Sequence, residues 1–243
     1  MTDCLIEAKG VTRRLGSGAR EVEALRGIDL SLCRGELTLL MGPSGSGKTT
    51  LLLVLGCMLA PTSGSVTVCG APTSKLEKEA LAKIRRDHIG FVFQSYHLFP
   101  TLTAVQNVQL ALDIRGERGD AAKKSCEALE MVGLQQKTHI RPNELSGGEQ
   151  QRVAIARAIV SNPSAVLADE PTAALDGENG RTIMRILADI AHQRERAVLV
   201  VSHDPRVVPF ADRILHIEDG MLVEKPSGEP ERLRPLKAAG FGP

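Results

Sequence analysis

The sequence predicts an α/β fold with a helical segment inserted into its core. Three observations carry that expectation. Short apolar runs at 36–41, 89–93, 165–168 and 197–201 have the length and composition of buried strands. The first run leads directly into a Gly-rich loop and then a helix-forming stretch, giving the order strand, loop, helix. Between Thr103 and Ala158 the β-branched runs cease and apolar residues recur at helical spacing.

In chain order, residues 6–12 and 22–32 alternate loosely and read as strands joined across Gly16-Ser17-Gly18. Residues 36–41 form the next strand, 48–59 a helix, 65–68 a strand, and 75–86 an exposed charged helix. Within the insert, Thr103 is placed to cap a helix through Leu112, Asp120 a second through Val132, and a third follows Gly148. Strands return at 165–168 and 197–201. The stretch 214–224 reads as a hairpin whose Asp219-Gly220 pair suits a type I′ turn. The expected organisation is a core of 1–93 and 163–225, a helical subdomain of 94–162, and a Pro- and Gly-rich, poorly ordered tail at 226–243.

A chain of 243 residues with 42% hydrophobic content can bury a sizeable core. Thirty Lys and Arg against 29 Asp and Glu leave a formal charge of +1, so no global field draws the chain to nucleic acid, and none is expected as a partner. A charged ligand needs a local site. The five cysteines are scattered without C-x-x-C spacing, which argues against a disulfide framework or zinc site and suggests a reducing, cytoplasmic setting. The N-terminus lacks the basic flank and apolar stretch of a signal peptide, and the most apolar helical stretch, 51–60, is short of the roughly 20 residues that span a bilayer. Any membrane component is therefore expected on another chain.

Gly42-Pro43-Ser44-Gly45-Ser46-Gly47-Lys48-Thr49 fits G-x-x-x-x-G-K-[ST] and lies between a predicted strand and a predicted helix. Glycines there let backbone N–H groups curl around phosphate oxygens, and the helix N-terminus adds positive partial charge. Lys48 can reach the β- and γ-phosphates of ATP; Thr49 can place its hydroxyl on Mg²⁺, with Thr50 just behind. The apolar strand 165–168 ends in Asp169 and Glu170, and ligands bind at the carboxyl ends of parallel strands. Alternation sends these two side chains in different directions. Asp169 suits the Mg²⁺ shell, and Glu170 suits the attacking water as general base or positioning group.

Further on, Ser146-Gly147-Gly148-Glu149 opens a helix with capping-box spacing. The stretch LSGGEQQRVAIARA resembles the signature sequence of the ABC ATPases. That resemblance covers roughly residues 5–225. It implies a P-loop NTPase (RecA-like) core with an antiparallel β subdomain and an inserted α-helical subdomain. It also implies that Gln94 is the Q-loop glutamine, near Mg²⁺ and catalysis. Asp176 falls in the D-loop, and His203 is the switch histidine bonding the γ-phosphate. In that family two copies pack head to tail, so ATP on Lys48 of one copy meets Ser146, Gly147 and Gly148 of the other. A homodimer is thus expected.

The family's repair ATPases carry a long coiled coil between these motifs. Here Ser146 lies only 98 positions after Lys48, without sustained heptads between them. GPSGSGKTTLL, LFPTLTAVQNV and LADEPTAALD are similar to the subgroup of macrolide exporters, lipoprotein-release systems and heterocyst glycolipid exporters. The resemblance implies an ATP-hydrolysing subunit on the inner face of the cell membrane. It would drive a separately encoded transmembrane permease and, through it, a periplasmic adaptor. The alternatives are an amino-acid-type importer cassette and a non-transport ABC ATPase. Tyr96 and Phe99 are candidate anchors for the permease, because aromatic residues are only 2% of the chain. Family members usually stack an aromatic residue on adenine after the first strand; here Leu15 holds that place, and no Phe, Tyr or Trp precedes Phe91. The base is then expected to rest on aliphatic surface helped by the guanidinium of Arg13 or Arg14, or to be held by a residue of a partner chain.

Overall fold

The computed structural model describes residues 4–18, 21–74 and 76–223. The predicted tail lies outside the described residues. The first half runs β1 (Cys4–Leu15), β2 (Val22–Cys33), β3 (Leu37–Met41), α1 (Lys48–Leu55), β4 (Ser63–Val68), β5 (Ala71–Pro72), α2 (Lys78–His88) and β6 (Ile89–Val92). Helices α3 (Ala104–Ile114), α4 (Ala121–Met131) and α5 (Gly147–Ile159) follow. The chain then returns through β7 (Ala165–Asp169), α6 (Gly177–Arg194), β8 (Ala197–Ser202), β9 (Arg213–Glu218) and β10 (Met221–Val223).

Two sheets organise these elements. An antiparallel sheet has the order β2-β1-β4-β5, and a second sheet has the order β10-β9-β3-β8-β7-β6. In the second sheet β9, β3, β8, β7 and β6 are parallel, with β10 turned back on β9. Strand alternation divides its buried residues between two cores. Leu39, Val166, Ala168, Val198 and Val200 pack with the helices α3 to α6. Leu40, Leu167, Leu199 and Val201 pack with α1 and the antiparallel sheet. Both faces of β3, β7 and β8 are therefore dry, which is why these strands read as continuous apolar runs.

Most predicted elements are found, and the differences that follow are the instructive ones. Helix α1 stops at Leu55 rather than Leu59. Its end is a Schellman turn in which Met58 N–H bonds the Leu53 carbonyl at 2.9 Å and Cys57 takes φ +56°. A cysteine in the left-handed position conceals that stop from sequence. Asp120 precedes α4 as expected, yet its side chain makes no cap hydrogen bond, because its backbone leaves the extended region a cap requires. The charged helix begins at Lys78, three residues later than its pattern suggests. Finally, α6 was not anticipated, although Ile183, Met184, Leu187, Ile190 and Ala191 form a buried stripe at helical spacing. The hairpin turn holds: Asp219 and Gly220 both have positive φ, as a type I′ turn requires.

Candidate functional site

Strand β3 delivers the Gly-rich loop to the carboxyl edge of the parallel sheet, and α1 begins at Lys48. Two glycines make that curl feasible. A Cβ on Gly42 would lie 2.2 Å from the Ile217 carbonyl oxygen, and one on Gly47, whose φ is +104°, would lie 2.5 Å from that of Ala24. The loop is thus pressed against β9 and β2. Pro43, Ser44, Gly45 and Thr49 remain exposed, so the loop lies on an open face. The Lys48 side chain folds back, its Nζ donating to the carbonyls of Gly42 at 2.8 Å and Pro43 at 2.7 Å. Ser46 Oγ is buried without a protein partner. Thr50 is half-buried in the first turn of α1.

The neighbouring strand ends supply the acids. Thr49 Oγ1 donates to Asp169 Oδ1 at 3.2 Å, which joins the loop to β7. Burial pushes the Asp169 carboxyl above its usual range and the Glu170 charge adds to this, while the Thr49 hydrogen bond and Lys48 oppose. Glu170 turns the other way, as alternation predicts. Its φ of +47° ends the strand. Its carboxylate receives the Ser202 hydroxyl at 3.4 Å and meets His203 Nδ1 at 2.7 Å. Both partners come from the end of β8, which pairs with β7 in parallel register. The His203 side chain is 67% exposed, leaving its other ring nitrogen open to a ligand. Gln94 lies exposed, two residues past the end of β6. Because Val92 pairs with Ala168, Gln94 shares the edge that carries Asp169.

The signature segment lies elsewhere in the chain, at the start of α5. Ser146 and Glu149 form a reciprocal capping box. Sequence reading did not find Lys137, whose Nζ donates to Glu149 Oε1 at 2.5 Å. The Lys137 hydrogen bond, then the Ser146 backbone N–H, hold the Glu149 carboxyl below the usual carboxylate range. A depressed acid contributes stability that is full above its unfolded pKa and is lost as pH falls through the folded value. Lys137→Met should therefore lower the Tm by about 2 °C near neutral pH and move the acid limb of the Tm–pH profile upward. Superimposable profiles for the two proteins would contradict this role.

Two further contacts reach the same helix. A Cβ on Gly148 would meet Asn179 Oδ1 at 2.6 Å, and one on Gly147 would meet the Tyr96 hydroxyl at 3.0 Å. Asp176 caps α6, accepting from the backbone N–H groups of Glu178 and Asn179 and from Asn179 Nδ2. From α5, Arg157 donates to the carbonyls of His97 and Tyr96 at 2.5 and 2.7 Å, and both of those residues have positive φ. Burial lowers the Arg157 pKa, so this clamp is a desolvated one. The Asp176 cap is local, but the Asn179–Gly148, Tyr96–Gly147 and Arg157 contacts depend on tertiary register and were not visible in sequence.

Leu15 closes β1 opposite Val22 on β2. They are 37% and 62% exposed, an apolar pair beside the β2 segment whose Ala24 carbonyl abuts Gly47. Arg13 donates to the Ala60 carbonyl at 2.8 Å, and Arg14 lies 3.9 Å from Glu23. Val22 was not singled out by sequence.

The family model described as "ABC transporter" matches residues 25–173. The chain belongs to the ABC transporter family. Among its relatives, this ABC ATPase is 44% identical over 231 residues to the macrolide export ATP-binding/permease protein MacB 1 of Aeromonas hydrophila, with 95% of this chain and 36% of that protein covered. It is likewise 44% identical over 223 residues to MacB of Escherichia coli K12, with 91% of the chain and 34% of the relative covered. The chain thus spans about a third of the length of these curated relatives. Its structure matches the dimeric ATP-binding cassette MJ0796 bound to ADP and Pi with a TM-score of 0.83 and 42% identity, covering 90% of this chain and 97% of that one. The ABC cassette fold expected from sequence is therefore the fold found. Among the described residues, no helix of this ABC cassette is long and apolar enough to cross a membrane.

Proposed function

We propose that this ABC ATPase hydrolyses Mg-ATP at two identical composite sites in a head-to-tail homodimer, and that this work drives export through a permease. The observation that carries the hydrolytic reading is the arrangement of Asp169 on Thr49 and of Glu170 on His203 and Ser202 beside the Lys48 loop. Lys48 and the loop of 42–49, through the N–H groups of its residues other than Pro43, bind the phosphates. Glu170, anchored from two sides, orients the attacking water and accepts its proton. His203 bonds the γ-phosphate through its open ring nitrogen. Magnesium fits here because Asp169 and Thr49 present hard oxygen donors, and Gln94 shares their edge. When bound, the ion neutralises charge on the β- and γ-phosphates. Among the described residues no group of three or more His, Cys, Asp or Glu is arranged for a metal, so nucleotide and water would complete its shell.

The dimer reading rests on the open face of the loop and the placement of Ser146, Gly147 and Gly148 on a different helix. A capped helix N-terminus with two glycines offers N–H groups to a second phosphate. Asp176 would shape the interface through α6 and Asn179, which touches Gly148. The division into a core of 1–93 and 163–225 and a helical subdomain of 94–162 is proposed as the unit of movement, with Arg157 carrying strain between Tyr96 and α5. Relatives named as export ATP-binding/permease proteins favour export, with the permease encoded separately or within a longer chain, the cassette on the inner membrane face, and a periplasmic adaptor beyond. Phe99, 55% exposed, is the outward anchor for the permease, whereas Tyr96 packs against Gly147. Phe99→Ala should keep basal phosphate release from Mg-ATP but lose at least half of the permease stimulation. Equal loss of both activities would contradict a docking role.

Leu15 and Val22 form the proposed adenine platform. Most binding energy then comes from phosphate and Mg²⁺, shared by ATP and GTP. Wild-type discrimination should stay below about tenfold, while Leu15→Tyr should tighten ATP by about 5-fold or more, since stacking on an aromatic ring is worth about 1–3 kcal/mol. Strong wild-type preference for ATP with no gain in the variant would remove Leu15 from the platform.

A further inference from the structure

Two of the cysteines that are scattered in sequence meet in space. Cys4, the first residue of β1, is paired in register with Cys33, the last residue of β2. Their Sγ atoms lie 3.4 Å apart. Directly opposed residues of an antiparallel pair have Cα separations of about 4.5–5.5 Å, within the range a disulfide spans. Closing the sulfurs to about 2.05 Å needs only side-chain movement. Cys4 is half-buried and reachable, while Cys33 is 8% exposed. The other cysteine near this strand is Cys69, whose N–H bonds the Leu5 carbonyl from the β4 side.

We propose that Cys4 and Cys33 form a reversible disulfide in the presence of a small-molecule disulfide oxidant. The Cys4 thiolate attacks the oxidant's S–S bond, forming a mixed disulfide and releasing one small thiolate. The Cys33 thiolate then attacks Cys4 Sγ, breaking the mixed disulfide and releasing the second. The two cysteines lose two protons and two electrons, and the oxidant gains both as two thiols. The bond ties β1 to β2 immediately before the chain turns into β3, the strand that delivers the phosphate loop. It therefore links thiol redox state to the stability of the nucleotide-binding unit. Burial, followed by the neighbouring Cys4 thiol, raises the Cys33 pKa to about 11. Few Cys33 thiolates exist at neutral pH, so closure is slow there and accelerates by about tenfold per unit between pH 7 and 9.

The test uses the full chain carrying Cys126→Ser, which removes the exposed thiol. After incubation with oxidised glutathione and alkylation, intact mass and peptide mapping report which cysteines were blocked. The expected product is an intramolecular Cys4–Cys33 crosslink with only Cys57 and Cys69 alkylated, reversed by dithiothreitol. Its Tm should exceed that of the reduced form by roughly 5–10 °C. Cys4→Ser, at a half-buried position, should abolish crosslink and shift alike. Glutathione persisting on Cys4 beside a fully alkylated Cys33 would overturn the proposal. So would a Cys4–Cys69 crosslink, or a linkage only between chains.

Discussion

Replacing Glu170 by glutamine is expected to leave Mg-ATP affinity within a few-fold of wild type while hydrolysis falls by about 10²–10⁴-fold. The magnitude follows from where the side chain points. Its carboxylate is held by His203 Nδ1 at 2.7 Å and Ser202 Oγ at 3.4 Å, whereas Thr49 is bonded by Asp169 and Lys48 by the loop carbonyls of Gly42 and Pro43. The amide keeps the volume and most of the packing. It cannot accept the proton of the attacking water. Phosphate contacts and the cation's oxygen donors are untouched, so the nucleotide is bound but not consumed. A dimer closed over two unspent nucleotides should then accumulate, visible as an ATP- and Mg²⁺-dependent shift in size-exclusion chromatography. Near-normal turnover would remove Glu170 from the chemistry, and an ATP-bound monomer would count against the composite site.

Much of the fold was legible because the parallel strands are buried on both faces. Leu39 and Leu40 face opposite cores, so β3 appears in sequence as an unbroken apolar run. The phosphate loop and the paired acids were readable for the same reason: each follows directly from such a strand. Ser146 and Glu149 were readable because a capping box is local. What sequence did not reveal depends on register or on unusual residues in special conformations. Cys57 ends α1 in a left-handed turn usually made by glycine. Helix α6 escaped notice although its apolar stripe is regular; Gly177 and Gly180 sit in its first turn, where they mask the start. The Lys137–Glu149 pair spans 12 residues, and the Arg157 clamp on His97 spans 60, so neither could be read from spacing. Leu15 was singled out by the lack of an aromatic residue as a proposed seat for adenine, but that it pairs with Val22 needed the β1–β2 register.

The composite dimer is the central claim, and mixing two inactive variants tests it most directly. Lys48→Ala removes the ammonium that now bonds the Gly42 and Pro43 carbonyls and that would hold the phosphates. Ser146→Arg blocks the N-terminus of α5 and breaks its cap. In any dimer of one variant alone, both composite sites are defective. In a mixed dimer one site carries both lesions, and the other joins a native Lys48 to a native Ser146. Random pairing makes half of the dimers mixed, so about a quarter of wild-type phosphate release should return if the two sites act independently. Differential tags would verify that mixed dimers form. Recovery near that level is the result predicted here; a mixture no more active than its components, despite abundant mixed dimers, would contradict it.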